Sequence, residues 1–284
     1  MGHFSVDKTT LLLQIPGNLY YDGVMDTMPR YYERLAAAYV RGVSAGHGGI
    51  ELPQRLAGKG LDELAGHEVR EILAAGEAAG LKLYYFKKTH ESLPRVRRVL
   101  GFLKSIGLGN LLDVGSGRGV FLWPCLDAFP QLEVLGVDLL PYRVELLETV
   151  RRGGVSNLRA MEADICGLGL PDNSFDVVTM LEVLEHVPDA RAAVRAAVRI
   201  GRKYVVVTAP SKPDNNPGHI HLLTKGALTG YFEEAGCTRL HFDGVPGHLI
   251  MVAALEEKEE EEEVEEEIEE EEKEEGEEEI KRKR

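Results

Sequence analysis

The chain has 284 residues, 44% of them hydrophobic, and a formal net charge of −14. That composition excludes wholesale disorder, and the length allows one large domain or a medium one with appendages. The charge is uneven: Glu256 to Arg284 hold 19 Glu and 6 Lys or Arg, leaving a body of 28 acids and 27 bases that gives no global case for nucleic acid.

Residues 1–92 are predicted to form a helical N-terminal cap region. A run from Met28-Pro29 to Val43 carries Tyr32, Leu35, Ala36 and Tyr39 at helical spacing, and His47-Gly48-Gly49 breaks it. A second helix is expected over Leu61 to Ala79, with Leu61, Leu64, Ala65, Val69, Ile72 and Leu73 on one side and Gly80 as its stop. Leu81 to Lys88 fits a strand or a helix entry. Pro94 opens a third helix through Ile106.

Residues 93–255 form the main domain. From 107 on, apolar runs at Leu111–Val114, Val134–Val137, Val177–Met180, Tyr204–Val207 and His248–Ala254 alternate with helical segments such as Arg143–Arg151 and Asp189–Ile200. Short apolar strands alternating with helices predict an α/β fold: a doubly wound, mostly parallel sheet with helices on both faces. Residues 256–284 form an acidic, low-complexity tail. Its apolar residues are Val264, Ile268 and Ile280, too few to offset the entropy of ordering it, so a disordered tail is expected.

Cys125, Cys166 and Cys237 are widely spaced and form no C-x-x-C pair, which excludes a disulfide framework or a zinc–thiolate site and fits a reducing compartment. The apolar run Leu11–Leu13 is too short for a signal sequence or a membrane span. A cytoplasmic protein without membrane contact is the expectation, and its oligomeric state stays open.

The strongest motif is Leu111-Leu112-Asp113-Val114-Gly115-Ser116-Gly117-Arg118-Gly119, joining a strand to a helix that begins near Val120. Its glycines allow a sharp turn and close approach to a ligand. A dinucleotide fingerprint G-x-G-x-x-G would need glycine at Val120, and Asp113 would repel a pyrophosphate. Next to a ligand bearing an amino group and a sulfonium, that carboxylate is favourable.

This D-x-G-x-G-x-G pattern after a hydrophobic strand resembles the first motif of class I S-adenosylmethionine-dependent methyltransferases, and the resemblance runs through about 140 residues. Gly136-Val137-Asp138 ends the next strand; the resemblance implies that Asp138 accepts from both ribose hydroxyls, with Leu139 beside it. Ala163-Asp164-Ile165 looks like the family's adenine-binding corner. Pro171 to Asp176 followed by Val177–Met180 looks like its fourth strand with the usual lead-in, and Leu181 to Val187, L-E-V-L-E-H-V, is similar to the stretch that follows in small-molecule methyltransferases. The implied cofactor residues are Asp113, Gly115, Ser116, Gly117, Gly119, Asp138, Leu139, Asp164, Ile165, Leu181 and Glu182, and the implied cofactor is S-adenosylmethionine.

Glu182, Glu185 and His186 would share one face of a helix. Two carboxylates and an imidazole, with His219 or His221 from a later loop, could hold a divalent cation. E-x-x-E-H with a later His resembles the metal site of small-RNA 3′-terminal 2′-O-methyltransferases. However, Gly218-His219-Ile220-His221-Leu222 lacks that family's longer His-rich signature, and metal-free members carry E-x-x-E-H-V as well. The metal-free reading is the expectation, with Glu182 lining the pocket and His219 or His221 as candidate general bases. Phe121 and Trp123 read as core.

Lys82, Lys87, Lys88, Arg95, Arg97, Arg98 and Lys104, interleaved with Tyr84, Tyr85 and Phe86, raise a minor case for single-stranded nucleic acid against the plainer reading of a solvated face. Taken together, the resemblance implies methyl transfer from S-adenosylmethionine to a small-molecule acceptor by in-line displacement, with residues 1–92 closing over the acceptor. The alternative is a metal-dependent RNA 2′-O-methyltransferase.

Overall fold

The computed structural model describes residues 30–46 and 49–255. The expectations for residues 1–29 and for the acidic tail 256–284 fall outside those residues. Seven strands form one sheet in the order β3-β2-β1-β4-β5-β7-β6. They are β1 (Asn110–Val114), β2 (Glu133–Asp138), β3 (Leu158–Glu162), β4 (Phe175–Leu181), β5 (Gly201–Pro210), β6 (Leu240–Val245) and β7 (His248–Ala254). The first five are parallel; β7 runs antiparallel to β5 and to β6. The chain winds outward from β1 through β2 to β3, returns to β4 on the other side of β1, and continues outward. The strand order therefore reverses between β1 and β4, where open α/β sheets bind ligands.

Alternation along the central strands separates two cores. Leu111, Val134, Val177, Val206 and Val252 face one layer. It contains α1 (Glu33–Ala45), α3 (Gly66–Ala78), α4 (Pro94–Ser105), α5 (Leu122–Ala128) and α6 (Pro141–Arg152). Leu112, Val114, Val178, Met180, Val205 and Val207 face the other, built on α7 (Ala190–Ile200) and α8 (Lys225–Glu234). Asp189 and Thr224 cap these two helices, accepting from the N–H groups of Ala192 and Ala227 at 2.9 and 3.1 Å.

The described part of the N-terminal segment packs against the sheet. That part, residues 30–92, shares one buried cluster with the sheet. The backbone of α1 lies directly against α6: a Cβ at Gly42 would stand 1.8 Å from the Thr149 carbonyl oxygen, and one at Gly153 would stand 1.7 Å from that of Ala38. These helices thus cover the flank of the domain. The second predicted helix is also split. A 3₁₀ turn, Leu61–Glu63, precedes α3, and the Glu68 carboxylate accepts the Ala65 N–H at 2.9 Å, which starts the helix at Gly66 rather than Leu61. A short α2 (Gln54–Ala57) precedes both. Leu81–Lys88 forms a 3₁₀ turn at Leu83–Phe86, with Lys87 bridged to Tyr31. Among the described residues no helix is long and apolar enough to cross a membrane.

Candidate active site

At the carboxyl ends of β1, β2 and β4 lies a cavity of about 540 Å³, within the range of small-ligand sites. Ten of the eleven residues expected to hold a cofactor line it. The exception is Gly119. Its φ is +78°, and a Cβ there would stand 2.1 Å from Cε2 of Trp123. Gly119 is therefore required by the packing of the buried indole, whose Nε1 donates to the Arg118 carbonyl at 2.8 Å. The helix starts at Leu122 rather than Val120. Phe121 and Trp123 are buried as expected, Phe121 with an edge on the cavity.

The glycine loop is held by the protein's own groups. Gly115 and Gly117 adopt φ of +67° and +58°, a region costing other L-residues about 1–2 kcal/mol. A Cβ on Gly115 would press on Val183 at 2.6 Å, whereas one on Gly117 meets nothing nearer than 3.7 Å. Asp138, 4% exposed, holds the loop across the strand ends. Its Oδ2 accepts the Gly117 N–H at 2.9 Å, and its Oδ1 accepts the Leu140 N–H at 3.0 Å. Arg143 Nη1 donates to Oδ2 at 3.3 Å. A carboxylate has about four acceptor positions, so the ribose hydroxyls would share Oδ2 with Arg143 or displace it.

Asp113 has a different environment. Its register partners are Gly136 on β2 and Thr179 on β4. The Thr179 hydroxyl donates to its Oδ1 at 2.7 Å. Because Gly136 has no side chain, Ser116 can tuck in beside it and donate to the Asp113 carbonyl at 2.9 Å. Burial pushes the Asp113 carboxyl up from 3.8 to about 6, against the Thr179 and Ser116 hydroxyls, with the Asp138 charge adding to the rise.

After β4 the expected helix does not form. Glu182 turns into the left-handed region, φ +58°, and only a 3₁₀ turn, Leu184–His186, follows. The strained residue is held twice by β5: its N–H donates to the Thr208 carbonyl at 2.9 Å, and its Oε1 accepts the Thr208 hydroxyl at 2.7 Å. His248 Nδ1 and Arg95 Nε approach its carboxylate to 3.0 and 3.9 Å. Glu182 therefore separates from Glu185 and His186 instead of sharing their face. Glu185 points inward, 1% exposed, and burial pushes its carboxyl up to about 8, reinforced by Glu182 and Asp214.

His219 and His221 are not among the cavity's lining residues; His186 is. His221 Nε2 lies 3.0 and 3.3 Å from the carbonyls of Val187 and Pro188, so it donates there, and His219 Nδ1 sits 2.8 Å from Asp214. Nothing in this placement supports either as a general base. Arg95, Leu140 and Arg143 line the cavity and were not found in the sequence. Arg95 comes from α4, with no local motif to mark it; Arg143 follows Asp138 by five residues on α6, a spacing that could have flagged it. The basic stretch Lys82–Lys104 is broken up by pairing: Lys88 with Asp127 at 2.9 Å, Arg98 with Asp243 at 2.6 Å, and Arg95 beside Glu182. Phe86 is buried against Trp123.

Residues 112–206 match the model of a methyltransferase domain family. Ubiquinone biosynthesis O-methyltransferases from Pseudomonas putida and Pseudomonas fluorescens are 33% and 35% identical over 117 and 121 residues. Each alignment covers 40% of this chain and 49% of the relative, so the chain spans about half the length of the curated relatives it matches. A solved S-adenosylmethionine-dependent methyltransferase from Aquifex aeolicus aligns over 60% of this chain and 94% of its own, at 20% identity and a TM-score of 0.48. Residues 112–206 of the chain are thus similar to a methyltransferase domain.

Proposed function

We propose that this protein transfers a methyl group from S-adenosylmethionine to an oxygen of a small-molecule acceptor. The observation that carries the reading is one cavity with two buried carboxylates in unlike environments, Asp113 and Asp138, on either side of a glycine turn. The residues fit the cofactor. Asp138 offers acceptor capacity for vicinal hydroxyls, and Leu139, Asp164 and Ile165 make a corner for a flat base. Asp113 is a buried carboxyl whose partners are hydroxyls, without a cation, suited in its ionised form to a ligand's cationic end. When bound, S-adenosylmethionine supplies an electrophilic methyl group on a sulfonium.

The protein's own contribution is positioning and the exclusion of water. The left-handed Glu182 turns the chain away at the end of β4, and Arg95 covers the cavity beside it. Oxygen as the acceptor atom follows the relatives named O-methyltransferases. The size of the cavity favours a small acceptor.

Calorimetry tests the cofactor reading. S-Adenosylhomocysteine is expected to bind, and NAD is not. Asp138→Ala is expected to weaken that binding by about 1.5–3 kcal/mol, the range for hydrogen bonds to a charged group. Wild-type affinity in Asp138→Ala would overturn the ribose assignment, and a screen of hydroxylated acceptors then tests the rest.

A further inference from the structure

Glu182 stands on the cavity wall, yet its carboxylate is held from behind, by β5 and β7, which do not line the cavity. Val206 and Val252 face the layer that contains α4, so alternation turns Thr208 of β5 and His248 of β7 to that same face. Thr208 pairs with Leu181 at the end of β4, and His248 opens β7 opposite Pro210, which places its ring at the carboxyl edge of the sheet. The Ser211 N–H donates to the Gly247 carbonyl at 3.0 Å and pins the β6–β7 turn there. From this position His248 Nδ1 lies 3.0 Å from Oε2 of Glu182, while the Thr208 hydroxyl donates to Oε1 at 2.7 Å.

Two further observations set this pair apart. Glu182 has a positive φ, and outliers of that kind gather at functional sites. Among the described residues the one other non-glycine with a positive φ is Asn173, a type that tolerates it. His248 Nδ1 is buried and makes no aligned hydrogen bond, so its contact with Glu182 is close but out of line, and a turn of the ring brings the two together. A carboxylate has about four acceptor positions. Thr208 takes one and His248 faces a second, which leaves the others for the cavity. Of the cations on this face, Arg95 Nε stands 3.9 Å from Oε1, and Arg98 is paired with Asp243 at 2.6 Å.

We propose that His248 is a positioning residue for methyl transfer: with Thr208 it fixes the Glu182 carboxylate as the proton acceptor for a hydroxyl of the acceptor molecule. The proposal rests on the methyl-transfer reading above. The acceptor hydroxyl donates to a free lone pair of Glu182. Its oxygen then bonds the methyl carbon, the electron pair of the methyl–sulfur bond stays on sulfur, and the hydroxyl proton passes to Glu182. The sulfonium and carboxylate charges are both cancelled, so the step balances. A base acts only within hydrogen-bond reach of the proton that it takes. A glutamate side chain free to rotate would lose that placement, and two anchors from neighbouring strands remove the freedom.

Nitrogen NMR of the histidine-labelled full chain tests the contact without an acceptor. His248 should carry its proton on Nδ1, and Glu182→Gln should shift that nitrogen. Activity is then measured with S-adenosylmethionine and with catechol, phenol and inositol as hydroxylated probes. An asparagine amide nitrogen falls where Nδ1 stands, whereas a glutamine one falls where Nε2 stands. His248→Asn should therefore keep most of kcat, while His248→Gln and His248→Ala should lower it about 10- to 100-fold. S-Adenosylhomocysteine affinity should stay unchanged in all three, because His248 does not line the cavity. Should variants at 248 fail to fold, Thr208→Val, of similar shape without the hydroxyl, removes the other anchor and should lower kcat likewise.

A side chain that only fills space predicts the opposite order, with glutamine, the larger residue, as the better substitute. That order, or a proton on Nε2 in the spectra, overturns the proposal. Methylation of a probe with kcat unchanged in His248→Ala removes the role of His248 and leaves the methyl-transfer reading. If the wild type methylates none of the probes while the spectra show the Nδ1 contact, the oxygen-acceptor reading falls, and the role given to Glu182 falls with it.

Discussion

Replacing Asp113 with Asn should separate stability from binding. Burial raises this carboxyl from 3.8 to about 6, a rise of about 2 units, or about 3 kcal/mol at 1.36 kcal/mol per unit. A group whose folded pKa lies above its unfolded value holds its proton more tightly in the folded state. Its contribution to stability is complete below about pH 4 and is lost as pH rises through about 6. At pH 8 the free protein therefore carries an ionised, buried carboxylate at a cost of up to about 3 kcal/mol. Asp113→Asn keeps an oxygen for the Thr179 hydroxyl and turns the new amide N–H groups toward the cavity, where water can accept them.

The cofactor-free variant should be more stable than wild type at pH 8, by up to about 3 kcal/mol, and close to it at pH 4. Affinity should move the other way. A cation about 4 Å from a carboxylate interacts by about 4 kcal/mol at an effective dielectric of about 20, so S-adenosylmethionine binding should weaken by roughly 2–4 kcal/mol. In the wild type, affinity should climb with pH up to about 6 and level off, with proton release on binding below that point. Denaturant melts at the two pH values and calorimetry at several check these statements. Unchanged affinity in Asp113→Asn, or a variant no more stable than wild type at pH 8, would refute the reasoning.

Gly119→Ala forces a Cβ at φ +78° into the Trp123 indole. It should cost about 3 kcal/mol or more in a urea melt, whereas Gly117→Ala, with no such clash, should cost about 1–2 kcal/mol and lose cofactor affinity as well. Equal destabilisation by the two would contradict the assignment of Gly119 to packing. Removal of residues 256–284 should leave the melting temperature and cofactor affinity unchanged: Leu255 closes the described core by donating to the Lys203 carbonyl at 2.9 Å, and the tail has almost no apolar surface to contribute. A large fall in melting temperature would show that the tail packs on the body.

Strands β1, β2, β4, β5 and β7 were legible because their central residues are buried on both faces and read as unbroken apolar runs. β3 and β6 were missed for the opposite reason. They are the two edges of the sheet; only Leu158 of β3 is buried, and no residue of β6 is. In the site, the expected residues that line the cavity belong to contiguous motifs at strand ends. The turn after β4 misled because L-E-V-L-E-H-V has helical periodicity, yet Thr208, 26 residues on, captures Glu182 and bends the chain before a helix can start. Arg95 escaped for the same reason: its partner Glu182 is brought by the sheet topology, which no local pattern encodes.

The contrast between Asp113 and Asp138 explains why both carboxylates are present. Asp138 accepts from two backbone N–H groups and Arg143, so its charge holds the loop. Asp113 faces the same cavity with hydroxyls and no cation on its carboxylate, so its charge is left for whatever enters. Loss of Asp138 therefore removes two things at once, the acceptor for a ligand's hydroxyls and the brace on Gly117. Loss of Asp113 removes an attraction for a ligand's cationic end and the acceptor of the Thr179 hydroxyl. The two contributions at position 138 separate in Asp138→Asn. Its amide oxygen can still take the Gly117 N–H, but the neutral group offers fewer and weaker acceptor positions to a ribose. A loop braced by one carboxylate and a carboxyl without a cation at the other divide the electrostatic work of this site between two strand ends.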